Sequence, residues 1–335
     1  MAMTPRERYE AVLAGEPVDQ VPRLPILMQF AAEYIGSNYG AFASDHRVLA
    51  EANIRCAEDF GMEQLSAISD PYRETAGFGG EVVFHENAVP ECVRPPLADD
   101  RDLGRLAVPD PFEAPRMRDR IDGVRLMRER TGDNYSVLGW IEGPAAEAAD
   151  LRGVSEFLMD MMEEPEWCGE LMDRCADAGI AFAFAQIAAG ADTIGVGDAI
   201  CSQISPDLYE ELVLPRQQRL LAAIGEAGGR VRLHICGQTR HLWNGFRQLP
   251  LDLVDVDHLV DMAAIREALG PQPVLVGNVD PSAELRFGKP ERIRHLLAAA
   301  RAAAGPRWMA SAGCEIPSGT PEENLRALCE PIGGR

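Results

Sequence analysis

"VRLHICG", residues 231–237, is an apolar run that ends with a histidine and a cysteine two positions apart. Read as a β-strand, it sets His234 and Cys236 on one face, because strand side chains alternate with a period of two. Upstream, "DTIGVGD" (192–198) is another such run, and a longer stretch of helical pattern lies between the two. A short β-rich run, a helix and a second run make a βα unit of a parallel sheet.

The same alternation extends in both directions. The remaining runs are "RLPILMQ" (23–29), "EQLSAISD" (63–70), "YSVLGWIEG" (135–143), "LVDVDH" (253–258), "PVLVGNVD" (273–280) and "RWMASAGCE" (307–315). Helical stretches such as "PERIRHLLAAARAAAG" separate most of them. Eight strands with intervening helices predict a (β/α)8 TIM barrel as a single domain over residues 1–335, with a doubly wound open sheet as the alternative. Residues 1–22 read as an N-terminal helical extension, opened by Thr4 as cap and Pro5 in the first turn. Residues 77–97 alternate differently and read as a hairpin excursion after the second strand.

Composition narrows the function classes. The chain has 335 residues, 46% hydrophobic and 25% charged, as in a soluble globular enzyme. A formal net charge of −21 argues against a nucleic-acid backbone or an anionic membrane surface as partner. No signal-peptide core or apolar window of about 18 residues is present, so a cytoplasmic location is expected. The eight cysteines are scattered as reduced thiols rather than a disulfide framework. Lys289 is the only lysine, which removes Schiff-base chemistry everywhere else.

Polar and thiol residues gather at the C-terminal ends of the runs: Asp70, Glu142, Asp198, His234, Cys236, Asp257, Asn278, Asp280, Cys314 and Glu315. In a barrel these ends share the face that carries the active site. Buried Cys and His are common in cores, so His-x-Cys alone is weak evidence. Cys314 strengthens it, because Gly313 before it and Pro317 after it suggest a fixed turn. An imidazole with two thiolates suits tetrahedral zinc and leaves a fourth position open. Asp257 is the candidate fourth ligand, with Asp255 in reserve. Asp70 and Asp257 are the candidates for catalysis, and Asn278, Asp198 and Glu142 for contact with a cofactor. Cys56, Cys168, Cys175 and Cys329 fall in helical patterns, while Cys201 could line the mouth. "GVGD" lacks the phosphate-loop pattern, and "GFGGEV" opens no helix, so neither is a nucleotide motif.

"HICG" and the distant "GCEIPSGTPEENL" together resemble the zinc methyltransferases of the uroporphyrinogen decarboxylase superfamily. These include enzymes that move methyl groups from methylcorrinoid proteins to coenzyme M. "TPRERYEAVLAGEPVDQVPRLP" is similar to that family's opening and "VLVGNVDPSAEL" to its seventh-strand segment. The resemblance implies zinc on His234, Cys236 and Cys314, completed by a strand-six carboxylate, here Asp257, until a substrate displaces it. It also implies cobalamin (a corrinoid) carried by a partner corrinoid protein, and a small-molecule methyl donor or acceptor. True decarboxylases carry an arginine-rich N-terminal motif, whereas "RLPILMQFAAEYIG" holds only Arg23. Asp70 resembles the decarboxylase aspartate in position. The expected reaction is methyl transfer involving a thiol. Demethylation of an ether, thioether or amine, a folate acceptor, decarboxylation, and a binding module without turnover are the alternatives.

Overall fold

The computed structural model describes residues 2–334. Its main sheet holds seven parallel strands: β1 (Gln64–Ser66), β4 (Ser136–Glu142), β5 (Thr193–Gly197), β6 (Arg230–His234), β7 (Leu253–Val256), β8 (Val274–Gly277) and β9 (Trp308–Met309), neighbours in that order. Strand β4 is buried along its whole length. Such strands are apolar on both faces because the sheet has helices outside and a packed interior within. In β4, Val137 and Ile141 pack into the large outer core, while Leu138 and Trp140 join Ile26 and Ile68 inside.

The expected first strand, 23–29, is not a regular strand. It still closes the ring. Leu24 N–H donates to Ala310 at 2.8 Å, and the Arg23 carbonyl accepts from Glu63 N–H at 3.1 Å. Pro22 and Pro25 lack N–H donors, so the segment cannot pair continuously. The barrel thus has seven strands and one irregular stave. The last expected run is also cut short, to Trp308 and Met309, with a separate bridge from Val279 to Ala312.

A helix, Pro5–Ala14, closes the N-terminal end of the barrel. Thr4 and Glu7 form a reciprocal capping box at its start, and the helix stops at Ala14, short of the expected extension to residue 22. Its buried face brings Tyr9 and Val12 onto Leu253, Val274, Val276 and Met309, and the Tyr9 hydroxyl meets Thr193 Oγ1 at 2.6 Å. Strands β2 (Glu81–His85) and β3 (Ala88–Arg94) pair antiparallel as a hairpin after β1, within the expected excursion. Among the described residues, no helix is long and apolar enough to cross a membrane.

Candidate metal centre

Strand register places Glu142, Gly197, His234 and Asp255 in one row across β4 to β7. Adjacent members of such a row lie about 4.8 Å apart. The His234 Nδ1 and Asp255 Oδ2 are 2.8 Å apart. Arg232, two residues earlier on the same face, grips Asp255 through Nε at 2.9 and 3.1 Å and donates to Gln64 Oε1 at 2.6 Å. The carboxylate so held fixes Nδ1 as the proton-bearing nitrogen and turns Nε2 toward the barrel mouth.

There Nε2 faces two sulfurs. It lies 2.9 Å from Cys236 Sγ and 3.7 Å from Cys314 Sγ, and the sulfurs are 3.3 Å apart. The hydrogen bonding of β6 stops at His234, so Cys236 sits on the loop beyond the strand instead of continuing it. Cys314 arrives from the loop after β9. Gly313 is required there, because a Cβ would collide with the backbone N of His258. Among the described residues, His234, Cys236 and Cys314 are the group of three or more potential ligands whose donor atoms converge, all within 4.8 Å of one another.

The triangle fits the ion implied by its chemistry. Ligand atoms around a tetrahedral zinc, bonded at about 2.0–2.3 Å, stand roughly 3.5–3.8 Å apart. The sides of 2.9, 3.3 and 3.7 Å need an opening of about half an ångström at Cys236. The electrostatics also suit a cation. A hydrogen bond with Cys236, assisted by His234, draws the Cys314 thiol down to about 4 against the cost of burial. The same sulfur pair, together with burial, pushes Cys236 upward. Burial opposes charge on His234, but Cys236 and Asp255 more than offset it and hold its pKa well above the usual value.

The other expected site residues stand elsewhere. Asp257 does not join the triangle. Its Oδ2 accepts from Gly237 N–H and its Oδ1 from Leu259 N–H, both at 2.8 Å, so it ties down the loop that carries Cys236. The reserve candidate, Asp255, orients His234 from behind and is likewise outside the converging set. Asn278 donates through Nδ2 to the carbonyls of Asp257 (3.1 Å) and Val260 (2.8 Å), bracing the loop after β7 from which Asp257 reaches Gly237. Asp198 is fully buried: Ala146 N–H and Gln217 Nε2 each donate to it at 2.7 Å, and burial lifts it to about 6. Asp70 takes both Arg116 Nη atoms at 2.7 Å, which hold it ionised despite burial. Glu142 pairs with Arg73 at 2.7 Å. Cys201 is buried rather than lining the mouth. Sequence reading missed Arg232, although "VRLH" alternation already puts it on the face of His234.

The family model described as "Uroporphyrinogen decarboxylase (URO-D)" matches residues 4–333. The chain belongs to the uroporphyrinogen decarboxylase family. Within it, the chain is 27% identical to the methylcobamide:CoM methyltransferase MtaA of Methanosarcina barkeri, covering 97% of this chain and 96% of the relative. It is 28% identical to MtbA of Methanosarcina mazei, covering 98% and 97%. A uroporphyrinogen decarboxylase from Crocosphaera subtropica is also 28% identical, but over 71% of this chain and 68% of that one. Among solved structures, a methyltransferase from Methanosarcina mazei superposes with a TM-score of 0.89 at 25% identity, covering 97% of each chain. A B12-independent methionine synthase from Shewanella shares the fold, at TM-score 0.60 and 13% identity. This member of the uroporphyrinogen decarboxylase family is a methyltransferase, aligned with that branch over nearly its whole length.

Proposed function

We propose that the chain is a zinc- and corrinoid-dependent methyltransferase, which moves a methyl group between a methylcorrinoid on a partner protein and a small thiol. The observation that carries this reading is the convergence of His234, Cys236 and Cys314, with Asp255 holding the imidazole from behind. These three residues would hold zinc, which when bound lowers the pKa of a substrate thiol and so makes it nucleophilic at neutral pH. The methylcobamide:CoM methyltransferases that align end to end act in their own reactions on a methylcobamide and CoM. The corrinoid would supply the methyl carrier, as cofactors commonly supply the difficult chemistry.

The chain's own residues do the positioning. Arg232 fixes Asp255, Asp255 fixes the tautomer of His234, and Asp257, whose own loop Asn278 braces, steadies the loop bearing Cys236. The site lies on the side where the strands end, the face on which barrel enzymes act. A cytoplasmic setting agrees with eight free cysteines. Decarboxylation of a polycarboxylate is disfavoured, because Arg23, the lone arginine of its segment, is spent on Glu63 at 2.5 and 3.1 Å. The test is metal analysis of purified protein together with demethylation of methylcobalamin across a panel of thiols. Turnover that depends on Cys236 and Cys314 supports the reading. Thiol-dependent turnover that survives Cys236→Ser and Cys314→Ser contradicts it.

A further inference from the structure

The two glycines of "GVG" on β5 have no role in the metal triangle, and their positions matter. A Cβ on Gly195 would collide with the ring of Trp140. A Cβ on Gly197 would sit 3.2 Å from Glu142 Oε2 and 3.1 Å from Trp140 Cζ2. Strand β5 is therefore bare where the side chains of β4 lean across it. They lean toward β6, whose His234 is next in the row after Gly197. The Trp140 ring reaches the imidazole edge-on, with centroids 5.7 Å apart.

Glu142 completes this arrangement asymmetrically. Its Oε1 accepts from Arg73 Nη2 at 2.7 Å and from Trp140 Nε1 at 3.2 Å. Oε2 accepts no hydrogen bond from the described residues and lies over Gly197. The residue is 9% exposed, so this oxygen keeps a route to water. One oxygen is anchored, and the other is free on the side of the metal centre.

We propose that Glu142 is the proton acceptor for the thiol substrate. This rests on the thiol-methyltransferase reading above. As the sulfur arrives beside His234, its S–H bond breaks and an O–H bond forms on Oε2. The electron pair stays on sulfur, and the proton then leaves to water. Burial lifts Glu142 to about 8 even though Arg73 opposes this. That is close to a free thiol near 8.5, so the proton exchange is nearly balanced. The charged groups around Glu142 are Arg73 and Glu74 from the helix after β1 and Glu147 and Asp150 from the helix after β4, while His234 stands two strands away in the same row. Asp70 acts on it through Arg73.

Cobalt(II)-loaded protein provides the test, with the sulfur-to-cobalt charge-transfer band followed by stopped flow. Two small thiols are compared at pH 7.5: mercaptoethanol, which must lose a proton, and thioacetate, which has none to lose. Glu142→Gln keeps an oxygen for Arg73 and removes the acceptor. It should slow mercaptoethanol association by about 100-fold and leave thioacetate within about twofold of wild type. The wild-type mercaptoethanol rate should rise with pH and level off above about 8, a profile the variant loses. If Glu142→Gln does not fold, Gly197→Ala crowds Oε2 without removing a charge and should slow mercaptoethanol selectively. Equal slowing of both thiols, or of neither, overturns the proposal. A wild-type protein that shows no band with either thiol instead overturns the thiol reading itself.

Discussion

On the β6–β9 side of the barrel mouth, His234, Cys236 and Cys314 face one another, and the groups behind them only hold them in place. On the β1–β4 side, Asp70, Arg73, Glu74, Arg116 and Glu142 are paired charge against charge. Both sides bury ionisable groups, yet their donor atoms are in different states. The carboxylates on the acid side are mostly occupied by guanidinium groups or backbone N–H. The sulfurs converge with an imidazole and no guanidinium is bound to them, so what a cation displaces there is the protons they share with His234. Buried charge alone does not mark a binding site; donors that converge and hold only exchangeable protons do.

The contrast can be broken most forcefully from the acid side. Arg73→Leu would leave Glu74 and Glu142 buried without their partner, an expected loss of about 3–5 kcal/mol in urea unfolding. Zinc content of the folded fraction should stay at the wild-type level. A stable Arg73→Leu protein that loses its metal would show that the two sides are one site.

Next in size is the pair Asp255→Asn and Asp257→Asn. Asp255 holds the imidazole, so its substitution should weaken zinc binding by about 10–100-fold in a chelator competition. Asp257 holds two backbone amides and the His258 imidazole but none of the three converging donors, so its substitution should change zinc affinity by less than threefold and cost about 1–2 kcal/mol of stability. Reversal of that order would restore Asp257 as a direct ligand.

The pH responses should oppose each other. Burial raises Asp198 to about 6 and Glu142 and Asp150 to about 8. The folded state therefore binds these protons more tightly than the unfolded chain, where carboxyls titrate near about 4. Their contribution is complete below that value and is lost as pH climbs through 6 and then 8. Metal-free protein should melt at progressively lower temperature between pH 5 and 8, and Asp150→Asn should flatten the upper part of that fall. Zinc affinity should rise over the same range, because binding displaces protons from thiol and imidazole. Parallel trends in the two measurements would contradict the division.

The smallest effect on the metal concerns the bare strand. Gly195→Ala pushes Trp140 from its place and should cost about 1–3 kcal/mol, with zinc affinity nearly intact.

Much of this was legible in the sequence, and the reasons differ by residue. The (β/α)8 architecture followed from eight recurring runs, and His234, Cys236 and Cys314 from residue type and position at strand ends. The irregular stave at 22–26 was hidden because an apolar run outweighed Pro22 and Pro25 in the reading. Asp257 and Asp255 were both read as candidate fourth ligands, and neither joins the triangle, because alternation gives a side chain's face but not the group it meets. Asp257 lies one residue beyond β7, where a loop amide captures it, whereas Asp255 is still in register with His234. The acid network stayed hidden for a different reason. Arg73 and Arg116 reach their carboxylates from helices outside the strand runs, and no local pattern shows that pairing.

The most direct measurement is the zinc content of protein purified without added chelator. Wild type should carry one equivalent per chain. Cys236→Ser and Cys314→Ser should each bind zinc at least roughly 100-fold more weakly, since one of four ligands carries about a quarter of a binding energy near 10–16 kcal/mol. Wild-type protein that refuses zinc, or a Cys314→Ser protein that holds a full equivalent with unchanged affinity, would contradict the metal centre.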